Sequence, residues 1–135
     1  MVQDLFTTRT YRKYWKTVFW ILLFSLLFLT LTPTPPNPIK FTHIDKIYHF
    51  IGFSAFSFVF RFSFIKKSTL FILFYSILLG VAVEVAQLFV PNRGFSLMDM
   101  IADGIGSVVG VFAAHAIIRL RTGVKTVAEA NPDQE

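Results

Sequence analysis

Cysteine is absent from these 135 residues, which excludes disulfides and thiolate metal sites and leaves the redox compartment undefined. Charge is scarce too: charged residues are 16% of the chain, against 54% hydrophobic residues with 17 Phe. That leaves too little polar surface to clad a soluble domain of this length. No complete catalytic signature is present. There is no nucleophile with an adjacent base, no H-E-x-x-H, and no pairing of His with Arg of the lipid-phosphatase kind. A cleavable signal peptide is also unsupported. The basic residues Arg9, Arg12, Lys13 and Lys16 precede an apolar run, but the run is long and no A-x-A site follows it. The net charge of +5 would raise nucleic acid as a partner in a soluble protein. Here the basic residues fall between apolar runs, so they are read as topology signals, with membrane lipid and no nucleic acid as the surroundings.

Four segments approach the roughly 20 apolar residues that a spanning helix needs. They run from Thr17 to Thr32, from Ile44 to Ile65, from Thr69 to Val90 and from Met98 to Leu120. Pro33, Pro35, Pro36 and Pro38 end the first and form an extended linker. Lys66-Lys67-Ser68 and Pro91-Asn92-Arg93-Gly94 supply the later turns. The fold class is therefore all-α, an integral membrane four-helix bundle over residues 17–120. A cytoplasmic segment, 1–16, precedes it, and a polar tail, 121–135, follows and is expected to be disordered. Arg9, Arg12, Lys13, Lys16, Arg61, Lys66, Lys67, Arg119, Arg121 and Lys125 fall on one side. Only Lys40, Lys46 and Arg93 fall on the other. The positive-inside rule then places both termini in the cytoplasm, N-in/C-in, in a multi-pass membrane protein.

Ionisable residues inside apolar segments are costly and so are functional candidates by default. Asp45, Lys46 and His49 sit at the outer end of the second segment, Glu84 and Gln87 at the outer end of the third. Asp99 and Asp103 open the fourth, and Arg93 lies in the loop between. At about 1.5 Å per residue, Glu84 lies roughly 10 Å below Pro91, and His49 and Asp103 reach a similar depth. Asp45/His49 and Asp99/Asp103 are i,i+4 pairs and Glu84/Gln87 is i,i+3, so each pair shares a face. Ala102, Gly106, Gly110 and Ala114 form a small-residue stripe that allows close helix approach and turns the two aspartates inward. Gly80 and Gly52 suggest close packing around the same cluster. A weak repeat aligns Asp45–Gly52 with Asp99–Gly106 without gaps, which would bring both segments beside one cavity.

Plainer roles stand beside these. Asp45 and Lys46 mark a water interface, Asp99 serves as a helix-start acid, and Gln87 is a hydrogen-bonding strut. Glu84 acts as internal glue, bonded to Arg93 or His49. His115 and Arg119 are snorkelling interface residues, and the phenylalanines of the second segment serve lipid contact and packing.

Asp45-Lys46-x-x-His49-Phe50, Glu84-Val85-Ala86-Gln87-Leu88-Phe89 and Arg93-Gly94-x-Ser96-x-x-Asp99-x-x-x-Asp103-x-x-Gly106 together resemble the VanZ-like family of bacterial membrane proteins, over about Ile44 to Ala114. Many members carry Asn where this chain has Asp103. The resemblance implies a link to glycopeptide (teicoplanin-type) antibiotic resistance in one setting.

Three functional readings stand open. In the first, an outer-facing polar site binds or shields an envelope ligand, lipid-linked or from the cell wall, through Asp45, Lys46, His49, Glu84, Gln87, Arg93, Asp99 and Asp103. In the second, a membrane-embedded enzyme acts on a lipid-linked or cell-wall-related substrate, with Glu84 and Asp103 as candidate general bases and His49 as acid or base. A divalent cation would there be held by His49, Glu84, Asp99 and Asp103, and Arg93 would grip a phosphate. In the third, the chain is an assembly partner in a larger membrane complex. Transport by four short helices would need an oligomer.

Overall fold

The computed structural model describes residues 9–33 and 44–130, with the side chains of 9, 10 and 121–130 excepted. It contains four helices: α1 Arg9–Leu31, α2 Ile44–Ser63, α3 Thr69–Gln87 and α4 Leu97–Ala130. No strand occurs among the described residues. Most of the proline-rich linker lies outside them, as do Lys40 and His43.

The helices alternate in direction, so α2 and α4 run parallel and share the same starting end. That end collects the C-termini of α1 and α3 and is called the site end below. Two bonds define it: Gln87 Nε2 donates to Thr30 O at 2.9 Å, and Ser96 N donates to Glu84 Oε2 at 2.9 Å. The opposite end is tied by Ser63 Oγ, 2.8 Å from Trp15 O, and by Thr69 Oγ1, 3.2 Å from His115 Nδ1. His115 is thus partnered with α3 rather than simply set at an interface.

Three of the helices, in the stretches Tyr11–Leu31, Thr69–Gln87 and Leu97–Leu120, are long and apolar enough to cross a membrane. The exception is α2, which carries Asp45, Lys46, His49 and Arg61 along with three serines. Its polar residues are tolerated because α2 is the most enclosed helix, packed against all three others and most extensively against α4. Apolar side chains face outward instead. Phe24, Phe28, Leu70, Phe74, Phe89, Ile105 and Phe112 are each about half or more exposed. A water-soluble fold would hide these and show its acids. This one does the opposite, as a lipid-solvated bundle should.

The interior is aromatic. Phe19, Phe53, Phe56, Phe60, Ile72, Val83 and Val111 form its centre. Phe19 meets Phe60 at 5.0 Å and Phe56 at 5.4 Å between ring centroids. The phenylalanines of α2 therefore serve packing more than lipid contact. α2 meets α4 along the small-residue stripe: a Cβ built on Gly106 would lie 2.5 Å from Phe50 O, and one on Gly110 would lie closer still to Ser54 O. No side chain larger than hydrogen fits where the two backbones cross.

Several boundaries differ from the sequence reading. α1 begins at Arg9, because Tyr11, Tyr14 and Trp15 continue the helix and Trp15 stacks on Phe62 at 4.8 Å. α2 ends at Ser63, and Ser68 then caps α3, accepting from Phe71 N at 3.1 Å. α4 runs on through Gly123 to Ala130, where a disordered tail was expected; the segment Val124–Ala130 is rich enough in helix formers to extend the last turns. Arg61 is not a loop charge either. It is buried, and its guanidinium donates to Ile65 O at 3.0 Å, closing the end of α2.

Candidate functional site

Between Thr17 and Leu120 the chain has four acidic residues: Asp45, Glu84, Asp99 and Asp103. The fold gathers all of them at the site end in two layers.

The upper layer is a lysine between two carboxylates. Lys46 Nζ lies 2.8 Å from Asp45 Oδ2 and 3.0 Å from Asp99 Oδ1. The Asp99 contact links α2 to α4. Lys46 therefore crosses a helix interface, beyond the water-interface role considered for it.

The lower layer is buried. His49 Nδ1 lies 2.9 Å from Asp103 Oδ1 and 3.8 Å from Glu84 Oε1. Glu84 is 0% exposed, Asp103 1% and His49 5%, so this layer is closed to bulk solvent. An ionised carboxylate only accepts, so Nδ1 carries the hydrogen in the His49–Asp103 contact. Gly80 makes room for Asp103: a Cβ there would lie 3.2 Å from Asp103 Oδ2 and 3.4 Å from the Phe53 ring. Gly52, by contrast, opens onto Leu26 of α1 rather than onto the polar cluster.

The start of α4 explains how Glu84 is held. Ser96 is its N-cap, and Asp99 N donates to Ser96 Oγ at 3.3 Å. In a capping box the residue three positions on returns a bond to the cap's own N–H. Here Glu84, from α3, takes that N–H. The Asp99 carboxylate is thereby released to Lys46, so its helix-start role and its ion pair coexist.

Two expected members stand apart. Arg93 lies at the C-terminus of α1, with Nε donating to Thr32 O at 3.2 Å and NH2 to Leu29 O at 3.2 Å. The sequence placed it in the loop nearest the acids, but the last carbonyls of α1 lack helical partners and attract the guanidinium more directly. The Glu84–Arg93 bridge is accordingly not formed. Gln87 holds Thr30 O and acts as the strut anticipated.

Three buried serines were not anticipated. Glu84 Oε1 and Asp103 Oδ2 are buried without a hydrogen-bond partner among the described residues, as are the hydroxyls of Ser57, Ser76 and Ser107. Ser76 lies two turns below Glu84 through Gly80, and Ser107 one turn below Asp103. That i,i+4 spacing was the signal available for the serines. His49, Glu84 and Asp103 each offer one donor atom, all within 4.8 Å of one another, and these are the residues that could hold a metal ion. Asp99, engaged by Lys46, is not part of that group.

An apolar exterior around a bundle with a buried acid–histidine cluster at one end defines a helical membrane protein. The chain belongs to the VanZ/LLP1 family, whose model matches residues 3–119. The match reaches well beyond the motifs and takes in α1 entirely. No curated protein and no solved structure matches the chain.

Proposed function

We propose that this VanZ/LLP1 family member crosses the bacterial cytoplasmic membrane four times with both termini inside, and binds an envelope ligand at its site end. The ligand is lipid-linked or derived from the cell wall, and shielding it alters susceptibility to teicoplanin-type glycopeptides. One observation carries the reading: every acid between Thr17 and Leu120 lies at one end of a bundle whose flanks are apolar. The charge bias supports the orientation. With Arg61 turned inward, nine basic residues remain at the opposite end, against Lys46 and Arg93 near the site end among the described residues. Asp45 and Lys46 form the accessible rim, buried Asp99 ties that rim to α4, and His49, Glu84 and Asp103 form the floor.

The test has two parts. Cytoplasmic and periplasmic reporters fused at residues 36, 67, 93 and 125 should alternate, with 36 and 93 outside. Glu84→Gln keeps the acceptor for Ser96 N but removes the charge. It should insert and fold normally yet lose the teicoplanin phenotype. A periplasmic signal at 125, or full resistance in a well-folded Glu84→Gln, would defeat the proposal.

The His49–Asp103 contact at 2.9 Å also favours a second reading, a membrane-embedded enzyme in which Asp103 orients His49 as the base. Turnover of a lipid-linked substrate by purified protein supports this reading. Binding without turnover supports the first.

A further inference from the structure

We propose that His49, Glu84 and Asp103 form a binding site for one divalent metal ion of the zinc class, with a coordination position left for a ligand oxygen. This rests on reading the site end as ligand-binding and names what the buried floor contributes to it.

Three independent observations lead there. The first is donor chemistry and spacing. Donor atoms around a tetrahedral zinc, each about 2.0–2.1 Å from it, lie roughly 3.3–3.4 Å from one another. His49 Nδ1 is 2.9 Å from Asp103 Oδ1 and 3.8 Å from Glu84 Oε1, which brackets that separation. One imidazole with two carboxylates, on three different helices, is a three-ligand set of the kind that keeps a fourth position open. The imidazole nitrogen favours a zinc-class ion over magnesium or calcium, which take oxygen.

The second observation is the unpartnered atoms. Glu84 Oε1 and Asp103 Oδ2 are buried carboxylate oxygens without a hydrogen-bond partner among the described residues. Glu84 Oε1 is turned toward His49 Nδ1, inside the group, at 3.8 Å, too far for a hydrogen bond. Its other oxygen is fixed by Ser96 N, so the side chain is held in that orientation before any ion arrives. Such a shell of supporting bonds is what places a metal ligand.

The third observation is the charge count. Asp45, Glu84, Asp99 and Asp103 face Lys46 and His49, and Arg93 is occupied at the end of α1. Four carboxylates against one lysine and one histidine leave a formal deficit of two charges even with His49 protonated. Unpaired charge at this burial is expensive. The start of α4 offsets about half a charge. A divalent cation removes most of the remainder. On binding, His49 Nδ1 gives up its hydrogen and both carboxylates become ligands, so one proton leaves and a neutral centre forms.

The experiment uses the full-length chain in detergent. The protein is stripped with EDTA, incubated with ZnCl2, desalted and analysed for metal, with thermal unfolding followed in parallel. The expected result is one zinc per chain and a Tm that rises with zinc but not with equal magnesium. His49→Gln and Asp103→Asn should each weaken zinc binding by about 100-fold or more, since loss of a supporting partner alone costs about 10–100-fold. His115→Gln, at the far end of the bundle, should bind as the parent does. Cobalt substitution gives a second readout: a tetrahedral visible spectrum in the parent, lost in His49→Gln. Absence of stoichiometric zinc, or a Tm unchanged by zinc, overturns the proposal and shows that the acids are neutralised by protons instead. Equal binding in His49→Gln also overturns it. Loss of the teicoplanin phenotype in Glu84→Gln without any zinc binding by the parent would leave the envelope reading standing and remove the metal. Zinc binding without any phenotype would do the reverse.

Discussion

Replacing Gly106 by alanine adds one methyl group where α4 crosses α2. The new Cβ would sit 2.5 Å from Phe50 O, whereas ordinary contact begins at 3.4 Å. Phe50 O is main chain and cannot rotate away, so the two helices must part by about 0.9 Å or bend locally. Overpacking of this kind costs about 1–3 kcal/mol. Alanine returns about 0.8–1.0 kcal/mol of helix propensity over glycine. The net loss is up to about 2 kcal/mol, a fall in Tm of up to several degrees. Gly104 provides the matched control, because a Cβ there meets nothing within 4 Å. Gly104→Ala should collect the propensity gain alone and raise the Tm. The consequence extends to the site, since His49 directly precedes Phe50 and Asp103 lies one turn before Gly106. Parting the helices lengthens the 2.9 Å His49–Asp103 contact beyond hydrogen-bonding range. Thermal unfolding of both variants in one detergent, monitored by tryptophan fluorescence, measures the difference. If Gly106→Ala is as stable as Gly104→Ala, the α2–α4 crossing is not limited by backbone contact and the reasoning fails.

Lys46→Met removes the cation between Asp45 and Asp99 and should lower stability by about 1 kcal/mol in low salt, with the deficit shrinking in Lys46→Arg; chemical denaturation of the two variants measures it. Arg93→Ala should release the end of α1 at a cost of about 1 kcal/mol while leaving any ion binding at His49 unchanged; a calorimetric titration that showed loss of binding would return Arg93 to the site. Asn92 holds φ 62, so Asn92→Ala should cost about 1 kcal/mol and Asn92→Gly close to none, read as the difference in Tm.

The sequence showed the elements and most of the site because both are written in spacing. Apolar run length marked α1, α3 and α4, and the i,i+4 and i,i+3 pairs put Asp45, His49, Glu84, Asp99 and Asp103 on inward faces. The repeat was legible as well. Its equivalent residues His49 and Asp103 meet, and Asp45 and Asp99 share Lys46. It breaks lower down, where Gly106 faces α2 while Gly52 faces α1. What spacing does not encode is the direction of a long side chain. Arg61 and Arg93 each turned toward unpaired main-chain carbonyls, which a charge pattern cannot display. Nor could it display that the cap of α4 would be completed from α3, since that bond joins Ser96 to Glu84 across a turn.

The enclosure of α2 has a consequence for biogenesis on the four-span reading. Helices are synthesised in order, and each must find its place in the bilayer as it emerges. Three are long and apolar enough to enter on their own, whereas α2 carries Asp45, Lys46, His49 and Arg61 and leans on its neighbours. Its most extensive neighbour, α4, is made last, with α3 between them. Until α4 arrives, His49 and the Gly-matched face of α2 have no counterpart. The second helix is therefore committed late, and insertion of this small protein is closer to one cooperative event than to four successive ones.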